Sequence, residues 1–511
     1  MSDWTAGYVA DIGYIFGYYT ELNPMRIKLA FLEAGLVAPE IGTACELGFG
    51  QGMNANLHAA ASVVSWHGTD FNPSQAGFAQ ELAAASGAGA QLHDDSFADF
   101  CNRVDLPDFD YIGLHGIWSW ISDANRAVIV NFIRRKLKVG GVLYISYNTL
   151  PGWSTHAPIR HLLAQHATWM STKDAGIVSR IEGALDFADK LLTTNPLYAR
   201  ANPSVSIKIK SLKAQDRKYL AHEYLNDHWH PMYFADMAKW LAPAKVGFAC
   251  STHLLDHVAQ INFSADQQAI LNDITDLEFK ETVRDYMVNQ QFRKDYWVKG
   301  ARKLSVLEQS EALRQLRVVL TTPRADVPLK VTAALGEANM SESVYGPILD
   351  AMADHKIKTV AQLEQLVKDK GINFAQLNQA ILILAGGGHV QLAQDEKVAN
   401  KARNSSDKLN VYLLNKARGS ADVSEIASPV TGGGITVNRI AQLFLLARSQ
   451  GAKQPTEWAQ FAWSLLEAQG EQLLKKGNQL VTAEENLAEL NAQAQIFVDK
   501  QLPILKALMV V

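Results

Sequence analysis

The sequence predicts an α/β chain in which a doubly wound parallel sheet near the N-terminus is followed by mostly helical domains, one of them winged-helix-like. Three observations carry that prediction. Between residues 43 and 147 short apolar runs alternate with helical patterns. The glycine-rich stretch "ACELGFGQGMNANLHAAA", residues 44–61, joins the first run to the first helix. Beyond residue 150 helical periodicity takes over. Strand–helix alternation implies a parallel sheet because each connecting helix must pack back onto a sheet face.

The expected strands, in order, are "TACEL", "WHGTD", "AQLHD", "FDYIGLH" and "GVLYISYN". Between them lie "GMNANLHAAASVV", "PSQAGFAQELAAAS" and "DANRAVIVNFIRRKL", each with helical spacing, which makes the region Rossmann-like. "KVGG" at 138–141 is expected to stop the third helix ahead of the fifth strand, as glycine does at a helix end. Polar joints near 194–216 and 300–326 divide the helical remainder of the chain. "VYGPILDAMADH", "TVAQLEQLVKDK" and "FAQLNQAILILAGGG" read as three helices leading into a small strand, "HVQLAQ", a winged-helix-like order. "SPVTGGGIT" at 428–436 reads as a flexible loop. The expected domains are 1–165 for the sheet, 166–218 for a helical linker or insertion, 219–303, 304–400 for the winged-helix-like part, and 401–511 for a C-terminal helical part.

The 511 residues include 48 basic and 52 acidic side chains, so no strong positive field is available to hold a nucleic-acid backbone. Cys45, Cys101 and Cys250 form no closely spaced pair and read as buried apolar residues of a reducing compartment. No apolar run reaches roughly 18 residues, so no membrane span is expected. The first basic residue is Arg26, so no secretory signal is expected either. These features together predict a cytoplasmic location.

Three ligands compete for "ELGFGQG". A phosphate-binding P-loop needs a lysine and a hydroxyl that are absent. A dinucleotide loop wants G-x-G-x-x-G, but Met53 holds the third position, and Glu46 at the strand end would repel a pyrophosphate. The spacing is instead Gly48, Gly50, Gly52. A carboxylate there suits a cationic head, and S-adenosylmethionine carries an ammonium and a sulfonium but no phosphate. Asp70 ends the second strand, where a carboxylate accepts ribose hydroxyls, and Phe71 beside it is placed in the same site. "LHDDSF" after the third strand supplies Asp94 as partner of the adenine amino group, with Asp95 as the alternative.

With these residues the chain resembles the class I S-adenosylmethionine-dependent methyltransferases. "LHGIWSW" (114–120), "YISYNTLPGW" (144–153), "YLAHEYLNDHWHPMYF" (219–234) and "NQQFRKDYWVKGARK" (289–303) narrow the resemblance. So do "QGEQLLKKGNQL" and "LPILKAL" near the C-terminus. They are similar to bacterial methyltransferases with a methyltransferase regulatory domain, a group that includes rickettsial-type protein-lysine methyltransferases of surface proteins. The resemblance implies a regulatory domain at 219–303, a protein acceptor methylated on lysine, and a homodimer. Two departures stand out: Phe49 replaces a cysteine or serine common in methyltransferases, and "GYYTELNP" matches the family's N-terminal segment only loosely.

Ligands of open α/β sheets lie at the carboxyl ends of the strands. Residues after strands four and five therefore face the transferable methyl: His115, Gly116, Trp118, Ser119 and Trp120, then Tyr147, Asn148 and Trp153. Tyr147, His115, Trp118 and Tyr19 are the expected catalytic groups, His115 is also expected to touch the cofactor, and Tyr18 and Tyr19 form a lid. Aromatic walls attract a sulfonium, sheath a lysine stem and favour its neutral amine by desolvation. A hydroxyl acceptor on a glycan or small molecule would need a base, for which His115 is the candidate. In the alternative structural reading, His115 is simply a hydrogen-bonded residue and Trp118 and Trp120 pack against the next domain. A non-catalytic cofactor-binding scaffold is the third reading. "HEYLNDHWH", with His222, Glu223, His228 and His230, lacks the H-E-x-x-H spacing, so no metal is expected. "NTLPGW" after Asn148 lacks the Asn-Pro-Pro-Tyr-type motif of DNA amino-methyltransferases, and "RRK" at 134–136 reads as a solvated face.

Overall fold

The structure, a computed structural model, describes residues 13, 15–172, 175–226 and 228–511. After helix α1 (Pro24–Glu33), strands β1 (Thr43–Leu47), β2 (Ser65–Thr69), β3 (Gln91–His93), β4 (Phe109–Leu114) and β5 (Leu137–Asn148) come in order. Helices α2 (Met53–Ala61), α3 (Pro73–Ser86), α4 (Phe97–Asn102) and α5 (Asp123–Lys136) connect them. Five further helices, α6 (Ala157–Trp169), α7 (Ile177–Thr193), α8 (Leu197–Ala201), α9 (Ser204–Lys213) and α10 (Arg217–Tyr224), lead to α11 (Phe234–Leu241), then β6 (Gly247–Ser251) and β7 (Phe292–Val298).

The sheet order is β3-β2-β1-β4-β5-β7-β6. Strands β1 to β5 run parallel, and β7 runs antiparallel to both β5 and β6. Side chains alternate between the faces with period two. Ala44, Tyr111, Val142, Tyr144 and Tyr296 join the core that includes α1, α2 and α3. Cys45, Ile112, Leu143, Ile145, Tyr147 and Trp297 join the opposite core, with α4, α5 and α11. The expected division at residue 165 therefore cuts through this sheet, which takes its last two strands from the 219–303 segment. The reason is burial: β5 would otherwise be a long, apolar, unpaired edge.

Several local expectations are revised. "KVGG" does not separate α5 from β5; the strand begins at Leu137, directly after the helix. Gly140, at φ 82°, sits in a bulge where the β4 register jumps from Phe109↔Leu137 to Tyr111↔Val142. "RRK" is only partly solvated, since Arg135 and Lys136 donate to the carbonyls of Cys101 and Leu106.

Further along, Arg317–Leu320, Lys358–Thr359 and Val390–Leu392 form a three-stranded sheet packed with helices Glu342–Met352, Val360–Val367 and Phe374–Gly386. "SPVTGGGIT" is no flexible loop. Glu425–Ser428 and Gly433–Thr436 pair as an antiparallel hairpin, buried from Ile426 to Ile435. Here the glycines permit close approach of backbone to neighbouring side chains, not chain freedom.

Strand β7 carries a charged side chain into the sheet interior. Arg293, 2% exposed, donates to Asp295 (2.8 Å), Asp285 (2.6 Å) and Glu281 (2.7 Å), and Tyr147 Oη donates to Asp295 (3.1 Å). Removing the cation would leave buried carboxylates without a partner. Arg293→Met is expected to cost about 3–5 kcal/mol, read as a lowered urea midpoint at unchanged slope.

Candidate functional site

A cavity of ≈ 210 Å³ opens at the carboxyl ends of β1, β2 and β4. Glu46, on β1, lines it and is 2% exposed. Among the described residues its Oε2 has no hydrogen-bond partner although it is buried. Burial pushes its carboxyl up to about 8; an N–H bond from Ala55 opposes this, and nearby Asp70 adds to it. A buried acid in this state favours either a proton or a cationic ligand.

The glycine loop builds the adjoining wall. Gly48, at φ 71°, adopts a left-handed conformation, and a Cβ there would lie 2.4 Å from Ile117 Cδ1. Gly50 N–H donates to Asp70 Oδ2 at 2.8 Å, and Asn72 N–H donates to Oδ1 at 3.1 Å. Two backbone donors fix the Asp70 carboxylate at the rim, while burial pushes its pKa up to about 6. Each oxygen still has a lone pair to offer a ligand hydroxyl. Phe71 also lines the cavity. Gly52 does not: it caps α2, and a Cβ there would lie 2.4 Å from that of Ala79, so it serves the packing of α2 on α3.

Beyond β3 the preferred acid changes. Asp94 is exposed, whereas Asp95, Ser96 and Phe97 line the cavity. The Asp95 carbonyl accepts the Thr69 hydroxyl, and its carboxylate pairs with Arg103 at 3.1 Å. That tether turns the second acid of "LHDDSF", not the first, toward the site.

The far end is aromatic. His115 and Tyr19 both line the cavity and stack with ring centroids 3.5 Å apart. Asn54, on α2, accepts the Tyr19 N–H at 2.8 Å. His115 Nδ1 lies 2.6 Å from Tyr144 Oη. Burial, then the charge of Lys294, drives the imidazole down to about 3, so it is neutral and weakly basic. Gly116, Trp120 and His228 also line the cavity.

Tyr147 and Trp118 are corrected. Period-two alternation puts Tyr147 on the opposite face from Tyr144, where it is 1% exposed and bound to Asp295. Trp118 is fully buried, its indole N–H 3.4 Å from Met232 Sδ. Ser119, Asn148, Trp153 and Tyr18 do not line the cavity either: Ser119 Oγ accepts the Asn148 N–H, and Trp153 stacks edge-on against Trp229. Arg160 lies over both Trp120 and Trp229, tying the α6–α10 insertion to the cavity rim. Among the described residues of "HEYLNDHWH", His228 alone lines the cavity, while His222 is buried elsewhere. Sequence reasoning misses Tyr144, Asn54 and His228. The parity of "LYISYN" is the available signal for Tyr144, since it shares a face with Val142 and not with Leu143.

Residues 216–299 match the family described as a predicted methyltransferase regulatory domain. The chain is 40% identical over 510 residues to the Synechocystis sp. protein sll1526, covering 99% of each. It is 27% identical over 296 residues to the Rickettsia prowazekii protein RP789, covering 54% of this chain and 49% of that one. Its fold matches PKMT2 from Rickettsia typhi in complex with AdoHcy, with a TM-score of 0.70 at 17% identity over 97% of this chain and 99% of that one. The chain belongs to the same family as sll1526, and its residues 216–299 carry the predicted methyltransferase regulatory domain. The matched segment is built into the seven-stranded sheet, since 216–299 contains both β6 and β7.

The raised Glu46 pKa sets a pH dependence. The folded chain holds this proton more tightly than the unfolded one, so the stability it confers is lost as pH rises through about 8. Glu46→Gln is expected to stabilise the unliganded protein by roughly 2–4 kcal/mol at pH 9 and much less at pH 5, measured by urea unfolding at both values.

Proposed function

We propose that this methyltransferase binds S-adenosylmethionine in the β1–β2–β4 cavity and methylates lysine side chains of a bacterial protein. The single observation that carries the cofactor half is the buried Glu46 oxygen with no partner among the described residues, which once ionised favours a cationic head over a pyrophosphate. A ligand ammonium gives that oxygen its missing partner. Asp70 is held by two backbone donors to receive ribose hydroxyls, Phe71 flanks them, and Asp95 with Ser96 stands at the adenine end. The bound cofactor supplies an electrophilic methyl on a sulfonium.

The chain's own part is to orient the acceptor and exclude water. Tyr19, His115 and Trp120 line the cavity with aromatic surface. His115 at about 3 is too weak a base to take a proton from a hydroxyl near neutral pH. That favours an amine acceptor, whose neutral form an apolar slot promotes by desolvation. The overall match to Rickettsia typhi PKMT2 and the resemblance to protein-lysine methyltransferases support the same reading. No helix among the described residues is long and apolar enough to cross a membrane, and the three cysteines are buried and unpaired, which suits a reducing cytoplasm.

Incubation with methyl-labelled cofactor and bacterial lysate is expected to label protein in acid- and base-stable form, as N-methyl-lysine on amino-acid analysis. Label released by mild base, or found only in glycan or small molecules, would overturn the lysine assignment. Asp70→Ala is expected to weaken cofactor binding by at least tenfold, about 1.4 kcal/mol, in calorimetry. His115→Ala should retain activity within about tenfold if the acceptor is an amine; a far larger fall would favour the hydroxyl.

A further inference from the structure

We infer that the C-terminal glycine hairpin positions the aromatic lid of the cofactor cavity, acting through Tyr18. The inference rests on the proposed cofactor reading, and it concerns residues more than 400 positions apart in sequence. Gly17 to Tyr19 have no regular secondary structure of their own. Tyr19 points into the cavity and stacks on His115. Tyr18 reaches the hairpin instead: Gly434 N–H donates to Tyr18 Oη at 2.9 Å.

The approach is close enough that a Cβ at either glycine would displace its neighbours. A Cβ at Gly433 would lie 2.5 Å from Tyr18 Oη, 2.7 Å from Asn23 Nδ2 and 3.0 Å from His58 Cε1. A Cβ at Gly434 would lie 3.0 Å from Leu57 Cδ1 and 3.1 Å from Tyr18 Cζ. The hairpin is itself held from both sides. Ser428 Oγ donates to the Leu508 carbonyl at 2.9 Å, and Asn410 bonds both polar groups of the Ala427 backbone. Toward the sheet, the Thr431 carbonyl accepts Asn23 Nδ2 at 3.1 Å, and the Gly432 carbonyl lies 3.2 Å from His58 Nδ1. A carbonyl only accepts, so this ring is the tautomer with its proton on Nδ1.

Helix α2 closes the circuit. Asn54, which holds the Tyr19 N–H, and His58, which holds the hairpin, are four residues apart and share a helix face. The His58 ring also packs against that of Tyr18, centroids 5.4 Å apart. Hairpin, α2 and the Tyr18–Tyr19 segment therefore fix one another, and the hairpin shapes the cavity without lining it.

The test is S-adenosylhomocysteine binding by calorimetry on the full chain, with thermal unfolding and hydrogen exchange of residues 15–22 measured alongside. Tyr18→Phe is expected to weaken binding roughly three- to tenfold and to speed exchange at the Tyr19 N–H. Ser428→Ala, which loosens the far end of the hairpin, should change binding by less than about twofold at a similar loss of stability. Because Tyr18 acts through Tyr19, Tyr18→Phe should add almost nothing in a Tyr19→Ala background, and it should partly relieve Gly433→Ala by removing the clashing oxygen. Wild-type-like binding by a folded Tyr18→Phe protein, or losses that multiply with Tyr19→Ala, would overturn the inference. If Tyr18→Phe does not fold, Gly433→Ala against Ser428→Ala decides by the same binding criterion. Failure of the unmodified chain to bind would instead refute the cofactor reading, and this inference with it.

Discussion

A carboxylic acid buried with no counter-charge is the constraint around which this molecule is organised. Glu46 sits at the end of the central strand pair, enclosed by the glycine loop and by α2, with one oxygen unpartnered among the described residues. Such a group costs stability in the empty protein and repays it only when a cation arrives. In the proposed reading, the acid sets the preference for a cationic ligand head. The second carboxylate, Asp70, is tied down at the cavity rim by two backbone donors.

The rest of the fold serves to keep that strand end rigid and dry. Strands β6 and β7 close the sheet beyond β5, and the Arg293 cluster locks β7 in register beside Tyr147. The glycine hairpin leans on α2 from the other side. Hence the regulatory segment and the C-terminal hairpin belong to the same mechanical unit as the cavity, although they lie far from it in sequence.

How much the sequence discloses depends on the range of the interactions involved. Strands β1 to β5, the loop glycines, Glu46 and Asp70 are legible because strand-end positions and local spacing define them. Asp94 outranks Asp95 in the sequence because a one-residue difference depends on the Thr69 tether, which is tertiary. Tyr147 is misplaced for want of parity: Tyr144, three residues earlier, has the side that reaches His115. "FRKDYWV" is recognisable as part of a family motif but not as a strand, because its inward charges only make sense once Asp285 and Glu281 are beside Arg293. "TGGG" reads as flexible because glycine signals both freedom and close approach, and Tyr18, which decides between them, lies at the other end of the chain.

The central claim is that Glu46 is protonated in the empty cavity and ionises against a bound cation. Infrared difference spectroscopy at pH 7 tests it directly. The account predicts that adding S-adenosylmethionine removes a protonated-carboxyl absorption and produces a carboxylate band, and that Glu46→Gln abolishes the change. An unchanged carboxyl spectrum on binding, or the same difference in Glu46→Gln, would contradict it.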